Sequence, residues 1–249
     1  MAVTIKSPKE IDLMREAGRR LEIVHKKLGE FVKPGISTKD IDRYGEELIR
    51  GLDCIPNFLN YNGFPASICV SVNDEVVHGI PNKKHILKEG DIVSLDAGLI
   101  YKGFHSDAAR THAVEEISPE AAKLIKVTEE SFFKGIEFAR AGHHLHEISG
   151  AIGAYAESFG YGVVRDLVGH GIGRALHEDP QIPNFAQKRK GIKLVPGMTL
   201  AVEPMINIGT PNVVWMDDDW TVVTKDLSLS AHYENTILIT EGEPEILSL

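Results

Sequence analysis

Apolar and polar positions recur along the chain with two different periods, which predicts a protein of both helices and strands. Ser7-Pro8 followed by Glu10 marks a helix start, because Ser caps the first turn, Pro fits its first position and Glu completes a capping box. Apolar residues then continue at helical spacing to Leu28, and Lys33-Pro34-Gly35 ends this helix. Further helices are predicted from Ser37 or Thr38, from Ser118 to near Gly142, and from about His146 to Phe159.

Short apolar stretches between these helices predict strands. The longest runs over residues 92–109 and is typical of a β-hairpin, with Lys102-Gly103 as the turn because Gly103 can adopt a positive φ. Other strands are predicted over residues 67–72, 161–168, 200–203, 220–224 and 234–240.

The hairpin has a consequence for two acidic residues. With the turn at this position, Asp96 faces Ala109, and Asp107 lies on the same face as Asp96, one diagonal step away. Diagonal neighbours have Cα atoms roughly 7–8 Å apart, so the two carboxylates can converge on one cation. Buried carboxylates are unfavourable unless a cation or donors hold them. The alternative is that Asp96 ends a strand and Asp107 is solvated, and the hairpin alone does not decide between the two.

Short motifs in the first half of the chain recur in the second. Each pair of matching positions is 107 residues apart: Gly35 with Gly142, Gly90 with Gly197, and Asp96 with Glu203. The repeat predicts two similar units of two helices and several strands, and their pseudo-twofold pairing would bring Asp96 and Glu203 together. No composition break separates them, so we expect a single domain over residues 1–249, with halves of roughly 1–110 and 111–249.

The composition of this 249-residue chain, 43% hydrophobic and 25% charged, is that of an ordinary globular protein. Its net charge of −9 gives no general electrostatic reason to bind nucleic acid or an anionic membrane. Two cysteines, Cys54 and Cys69, are too few for a disulfide framework or a Cys-based zinc finger. No segment has signal-peptide or membrane-spanning character. We therefore expect a cytoplasmic protein without nucleic-acid or membrane partners.

Five residues on or beside predicted strands carry the candidate chemistry: Asp96, Asp107, His170, Glu203 and Glu234. Their neighbours are apolar, where an unpaired charge is unfavourable. Four carboxylates and one imidazole suit two divalent ions about 3.5–4 Å apart, and oxygen with nitrogen donors favours Mn, Fe, Co or Zn. The glycines around His170 allow close backbone approach. Alone, His170 could equally be a loop histidine; the five residues together favour a metal site.

These residues lie in motifs of a known family. The motifs are Gly103-Phe104-His105-Ser106-Asp107, His170-Gly-Ile-Gly-Arg, His177-Glu178, Glu203-Pro204-Met205 and Tyr233-Glu234-Asn235-Thr236. Over nearly its whole length the chain resembles type I methionine aminopeptidases of the short bacterial kind. The resemblance implies an α+β pita-bread fold, a curved antiparallel sheet with helices on its convex side and a dinuclear site in the concavity. It also implies removal of an N-terminal methionine when the second residue is small.

The resemblance assigns metal ligands. It implies that Asp96 ligates one divalent ion, that His170 and Glu203 ligate the other, and that Asp107 and Glu234 bridge the two. A water between two cations loses a proton more readily and becomes the nucleophile, and Glu203 relays protons to the leaving amine.

It also assigns contacts to the substrate. His78 and His177 are similar to the family's histidines that contact the peptide and the developing oxyanion, although either could simply hydrogen-bond within a loop. The pocket for the methionine side chain is implied to be formed by Phe58, Tyr61, Phe64, Cys69, Leu176 and Trp220, together with the two histidines. Aromatic and sulfur surfaces suit a thioether. Leu176 replaces a common Phe, and Asn235 replaces a common His, which leaves the detail of the pocket open.

Three alternatives are weighed against this hypothesis. Xaa-Pro aminopeptidases and prolidases share the fold but usually carry a separate N-terminal domain, whereas here the helices begin near Ser7. Type II methionine enzymes carry a late helical insertion that is not seen. A metal-free adaptor of the same fold should have lost ligands, and all five are present. We expect nascent polypeptides and short peptides as partners, and the ribosome as a further partner, although no motif identifies it. We also expect a monomer. Because Ala2 is small, we expect Met1 to be removed.

Overall fold

The computed structural model describes residues 3–249, so the predicted processing site at Met1-Ala2 lies outside the described residues. Within them the chain forms four α-helices: α1 (Pro8–Phe31), α2 (Thr38–Gly51), α3 (Pro119–Ile136) and α4 (Leu145–Glu157). The predicted caps are confirmed, since Ser7, Ser37 and Ser118 each precede a helix. The backbone N–H of Ser7 donates to Glu10 Oε2 at 2.9 Å, which is half of a capping box.

Two element ends differ from prediction. Helix α3 ends at Ile136 rather than near Gly142, because Phe138 N and Ala139 N donate three residues back and the chain then turns away. The strand predicted over residues 161–168 is regular only at Gly162–Val163, since its pairing ends after the bond from Val164 N to Met205 O.

Fifteen strands lie in the described part of the chain. They are β1 (Ile55–Pro56), β2 (Ile68–Val72), β3 (Glu75–Val77), β4 (Ile92–Tyr101), β5 (Phe104–Ala113), β6 (Gly162–Val163), β7 (Gly169–Gly171), β8 (Glu178–Ile182), β9 (Thr199–Val202), β10 (Met205–Asn207), β11 (Val213–Trp215), β12 (Val222–Thr224), β13 (Ser230–His232), β14 (Glu234–Leu238) and β15 (Glu245–Ile246). The main sheet has the order β1-β4-β5-β14-β9-β7-β8, with β2 also paired to β4 and β15 to β14. Two smaller sheets are β13-β10-β6 and β11-β12-β3, and all pairs are antiparallel.

The predicted central hairpin is confirmed residue by residue. Strands β4 and β5 pair from Ile92–Ala113 to Tyr101–Phe104, which leaves Lys102 and Gly103 as the turn. Both turn residues have positive φ, as a two-residue hairpin turn of this kind requires.

The two halves repeat the same main-chain bonds. In the first, Gly35 N donates to Leu87 O and Leu87 N to Ile36 O, both at 2.9 Å. Exactly equivalent bonds 107 residues later are Gly142 N to Leu194 O at 3.0 Å and Leu194 N to His143 O at 2.8 Å. The halves meet where β5 pairs with β14. The predicted α+β fold with two pseudo-symmetric halves is thereby confirmed, while the division of one domain at residues 110 and 111 stays a prediction.

Each half has its own apolar core between helices and sheet. In the first, Leu21 and Leu28 of α1 are fully buried with Leu95 of β4; in the second, Phe132 of α3 packs in a core with Leu200 of β9. Burying one such side chain stabilises the fold by about 1.5–3 kcal/mol, so these two cores hold the helices against the sheet. Among residues 3–249, no helix has both the length and the apolar character needed to cross a membrane.

Candidate metal centre

The hairpin places two acidic residues on one face of the main sheet. Asp96 of β4 pairs with Ala109, and Asp107 of β5 pairs with Gly98. Because side chains alternate along a strand, Asp107 and Ala109 share a face, and Asp96 shares it with them. The predicted diagonal relation between the two carboxylates is therefore confirmed.

Strand β14 adds a third carboxylate to this face. Glu234 pairs with Ala109 from the other side, so Asp96, Ala109 and Glu234 form one row across three strands. Thr236 fixes the join, because its hydroxyl accepts from Asp107 N at 3.0 Å and donates to Asp107 O at 2.9 Å. One carboxylate therefore lies on each side of the Ala109 methyl group.

The second half contributes the imidazole and the fourth carboxylate. His170 on β7 pairs with Ala201 on β9, and Glu203 follows two residues beyond Ala201. His170 Nε2 lies 3.6 Å from Glu203 Oε1 and 4.0 Å from Asp107 Oδ2. Potential ligand atoms of Asp107, His170 and Glu234 all lie within 4.8 Å of one another. Ligands about 2.0–2.2 Å from one ion lie at most about 4.4 Å apart, so these atoms are close to the separations that one ion requires.

The donor set fits divalent cations. Asp96, Asp107 and Glu234 are buried, and each has one carboxylate oxygen without a hydrogen-bond partner within residues 3–249. Buried polar atoms are normally satisfied, so these oxygens require a cation or donors. Burial raises the pKa of Asp96 to about 7. Burial, reinforced by neighbouring carboxylates, raises the pKa of Asp107, Glu203 and Glu234 well above the usual range. Binding of a divalent cation would therefore release protons.

The orientation of His170 is set by its neighbours. Its Nδ1 lies 2.9 Å from Gly171 O, so Nδ1 carries the proton and Nε2 presents its lone pair to the carboxylates. Burial lowers the pKa of His170 to about 3, which keeps the ring neutral. A Cβ on Gly169 would lie 2.4 Å from Ala201 O, and one on Gly171 would lie 2.2 Å from Asp179 O. The close backbone approach expected of these glycines is confirmed.

A cavity of about 140 Å³ opens beside the carboxylates. The structure brings every predicted site residue into its lining: Phe58, Tyr61, Phe64, Cys69, His78, Leu176, His177 and Trp220, with Asp96, Asp107, His170, Glu203 and Glu234. Asn62, which the sequence did not single out, also lines it. Phe64 and Trp220 meet edge to face at 5.2 Å between ring centroids and form one wall. The positions of these residues are now defined, and their individual roles stay predictions.

Two further histidines, His78 and His177, line this cavity. His177 Nδ1 is 2.8 Å from the Tyr61 hydroxyl, and its ring meets the ring of His170 edge-on at 4.3 Å between centroids. His78 follows β3 with a φ of 59°, and its ring contacts Trp220. Burial lowers the pKa of His177 and lowers that of His78 to about 4. Both rings are therefore neutral near pH 7 and can donate hydrogen bonds.

Two residues near the last ligand have roles that the sequence did not indicate. Asn235 accepts a bond from Arg110 at 2.6 Å and is fully buried, so this departure from the family pattern anchors the strand. His232 was missed, yet its Nε2 lies 3.9 Å from carboxylate oxygens of both Glu203 and Glu234. His232 belongs to β13 and Glu234 to β14, so alternation along one predicted strand gave no signal for it.

The sequence profile of metallopeptidase family M24 matches residues 12–241. The chain belongs to this family. Among M24 relatives, it is 56% identical to a methionine aminopeptidase of Clostridium acetobutylicum over 99% of each chain. It is 50% identical to methionine aminopeptidase 1 of Bacillus subtilis, again over 99% of each. The expected resemblance to bacterial methionine aminopeptidases is confirmed.

Solved M24 structures agree with this grouping. The methionine aminopeptidase of Rickettsia prowazekii matches with a TM-score of 0.97 at 41% identity, over 100% of each chain. That of Thermotoga maritima also gives 0.97, at 44% identity over 99% of each. The Xaa-Pro dipeptidase of Bacillus anthracis gives 0.77 at 26% identity, and the match covers 98% of this chain and only 61% of that one. The pita-bread fold is confirmed.

Proposed function

We propose that this M24 metallopeptidase removes the N-terminal methionine from polypeptides whose second residue is small. The observation that carries the proposal is the convergence of four carboxylates, three of them buried and that of Glu203 partly buried, and one imidazole beside an apolar cavity. The ligand set that we propose for two divalent ions (Mn, Fe, Co or Zn) is Asp96, Asp107, His170, Glu203 and Glu234. When bound, such a pair supplies Lewis acidity and a water of lowered pKa.

The cavity supports methionine as the cleaved residue. An apolar cavity of about 150 Å³ accommodates a molecule the size of benzene, so about 140 Å³ suits one unbranched thioether side chain. Phe58, Phe64 and Trp220 offer aromatic surface to a sulfur atom, a contact of about 0.3–1.5 kcal/mol. Leu176 is buried in the same wall and leaves more room than an aromatic side chain would.

The chain's own groups can serve the hydrolysis in three ways. Glu203, whose pKa is raised by burial, can take a proton from water and pass it to the leaving amine. Neutral His177, held by Tyr61, can donate to the carbonyl oxygen as negative charge develops there. His78, which also lines the cavity and contacts Trp220, can contact the peptide beside the cleaved bond.

Xaa-Pro hydrolysis is the competing activity, because an Xaa-Pro dipeptidase shares the fold at 26% identity. Purified protein should release methionine from Met-Ala-Ser in the presence of Co²⁺ or Mn²⁺ and stop after chelation. It should not cleave Xaa-Pro peptides. D107N and E203Q should lose the activity, whereas the exposed-site variant D217N should retain it. Chelator-insensitive release, or faster turnover of Xaa-Pro peptides, would refute the proposal.

The natural partners follow as proposals. The relatives are named for removing methionine, so we propose nascent polypeptides as the substrate, with docking at the ribosome and a monomeric state as further predictions. Co-sedimentation with ribosomes tests the docking, and light scattering tests the monomeric state. A dimer in solution would contradict the predicted monomer. Cytoplasmic location also stays a prediction.

A further inference from the structure

His232 is held firmly beside the candidate ligands, and no role assigned above uses it. It ends β13, where its backbone N–H donates to Thr111 Oγ1 and its carbonyl accepts from the same hydroxyl, both at 2.9 Å. Thr111 Oγ1 is also 2.8 Å from Ser94 Oγ. These bonds fix His232 to the hairpin that carries Asp96 and Asp107.

The imidazole of His232 is buried without a conventional partner. It is only 2% exposed, and neither ring nitrogen has a hydrogen-bond partner within residues 3–249. Nε2 lies 3.9 Å from Oε2 of Glu203 and 3.9 Å from Oε2 of Glu234. A buried donor left unpaired destabilises a protein. A ring at equal distance from two carboxylates therefore points to a function in holding them.

The two carboxylates need such a group. Glu234 Oε1 has no partner in the described part of the chain, and the Glu203 carboxylate lies within 4 Å of the rings of His170 and His232. A carboxylate that ligates a metal is normally held in place by a hydrogen bond from a neighbouring group. The distances of 3.9 Å exceed a hydrogen bond, and such bonds commonly tighten when a catalytic site is loaded.

We propose that His232 is a positioning residue whose Nε2–H orients the carboxylates of Glu203 and Glu234 through their Oε2 atoms. The proposal rests on the metal site of the proposed function. It differs from the role of His170, whose Nδ1 is bonded to Gly171 O and whose Nε2 faces the ligand cluster itself.

The test compares H232L, which removes the donor, with H232Q, whose amide nitrogen lies at a similar distance from the backbone. H112L is the matched control, because His112 also has a buried, unpartnered Nε2 but lines a different cavity with His25 and Arg110. Calorimetric titration of chelator-treated protein with Co²⁺ measures affinity, the visible Co²⁺ spectrum reports ligand geometry, and Met-Ala-Ser turnover separates kcat from KM.

H232L should bind Co²⁺ about 10–100-fold more weakly, change the spectrum and lose kcat more than KM. H232Q should restore most of the affinity, and H112L should match the unmodified protein. If H232L prevents folding, H232M replaces it. Unchanged affinity and spectrum in folded H232L would overturn the proposal, and so would equal losses in H232Q and H232L. Failure of the unmodified protein to cleave Met-Ala-Ser while it binds Co²⁺ would instead refute the proposed function.

Discussion

Replacing Asp96 with Asn should stabilise the metal-free protein and weaken its stabilisation by metal. The side chain is 9% exposed and lies in a row with Glu234, next to Asp107. Burial is the main reason that the pKa of Asp96 is raised from 3.8 to about 7. Asn has nearly the same shape and carries no charge, so D96N isolates the electrostatic contribution to the free energy of unfolding.

The magnitude follows from linkage between protonation and folding. A change from 3.8 to about 7, at about 1.4 kcal/mol per pH unit, corresponds to about 4 kcal/mol of destabilisation. Because the folded pKa is the higher one, this destabilisation is absent below pH 4, grows as the pH rises towards 7, and is complete above 7. In chelator at pH 8, D96N should therefore be more stable than the unmodified protein by up to about 4 kcal/mol.

Metal should narrow the difference between the two proteins. A cation at 100 times its Kd stabilises the unmodified protein by about 2.7 kcal/mol, whereas D96N has lost a ligand and should gain less. Urea unfolding at pH 4 and pH 8, with chelator and with Co²⁺, gives the free energy of unfolding of each protein under these four conditions. D217N, at an exposed Asp, serves as the control. A D96N protein that is less stable in chelator at pH 8, or a difference independent of pH, would refute the reasoning.

Three further substitutions test other parts of the structure. Burial raises the pKa of Glu75 to about 7, so E75Q should stabilise the fold above pH 7 by up to about 3 kcal/mol, fading towards pH 4.5 in urea melts; a pH-independent effect contradicts this. Y61F removes the hydroxyl bonded to His177. It should lower kcat/KM for Met-Ala-Ser about fivefold, with unchanged melting temperature, and full activity would show that this contact does not contribute to catalysis. K6M breaks the pair with Glu178, 2.6 Å apart. It should destabilise the fold by about 1–3 kcal/mol, because Thr4 and the backbone N–H groups of Arg174 and Ala175 still donate to Glu178. E178Q added to K6M should recover part of this loss, and additive losses would argue against pairing.

The internal repeat shows how far the sequence alone could lead. The offset of 107 residues predicted equivalent positions for Asp96 and Glu203, and main-chain bonds with the same offset confirm the two-half architecture. The face of Asp107 followed from the hairpin, because a turn at Lys102 and Gly103 allows one register. Both inferences rest on local rules, which hold wherever the chain pairs with its near neighbours.

Contacts between distant segments could not be derived in the same way. Tyr61 and His177 are 116 residues apart and meet only because two loops converge over the cavity. His232 pairs with Met205 in one sheet, while Glu234 belongs to another, and the change occurs at Tyr233. The sequence predicted one strand over residues 234–240 and did not reveal a separate strand just before it. For this reason the sequence did not place the imidazole of His232 beside Glu234.

Two alanines explain why the ligands can converge at the seam between the halves. Ala109 lies in register between Asp96 and Glu234, and Ala201 lies opposite His170; both are fully buried. Directly opposed residues share a face of the sheet, so the methyl group of Ala109 lies between the side chains of Asp96 and Glu234, and that of Ala201 lies between His170 and Thr236. A longer apolar side chain in place of either alanine would occupy the space between these side chains and keep a cation from reaching the carboxylates. The site therefore depends on small residues as much as on acidic ones, and the pairing of β5 with β14 supplies both at one place.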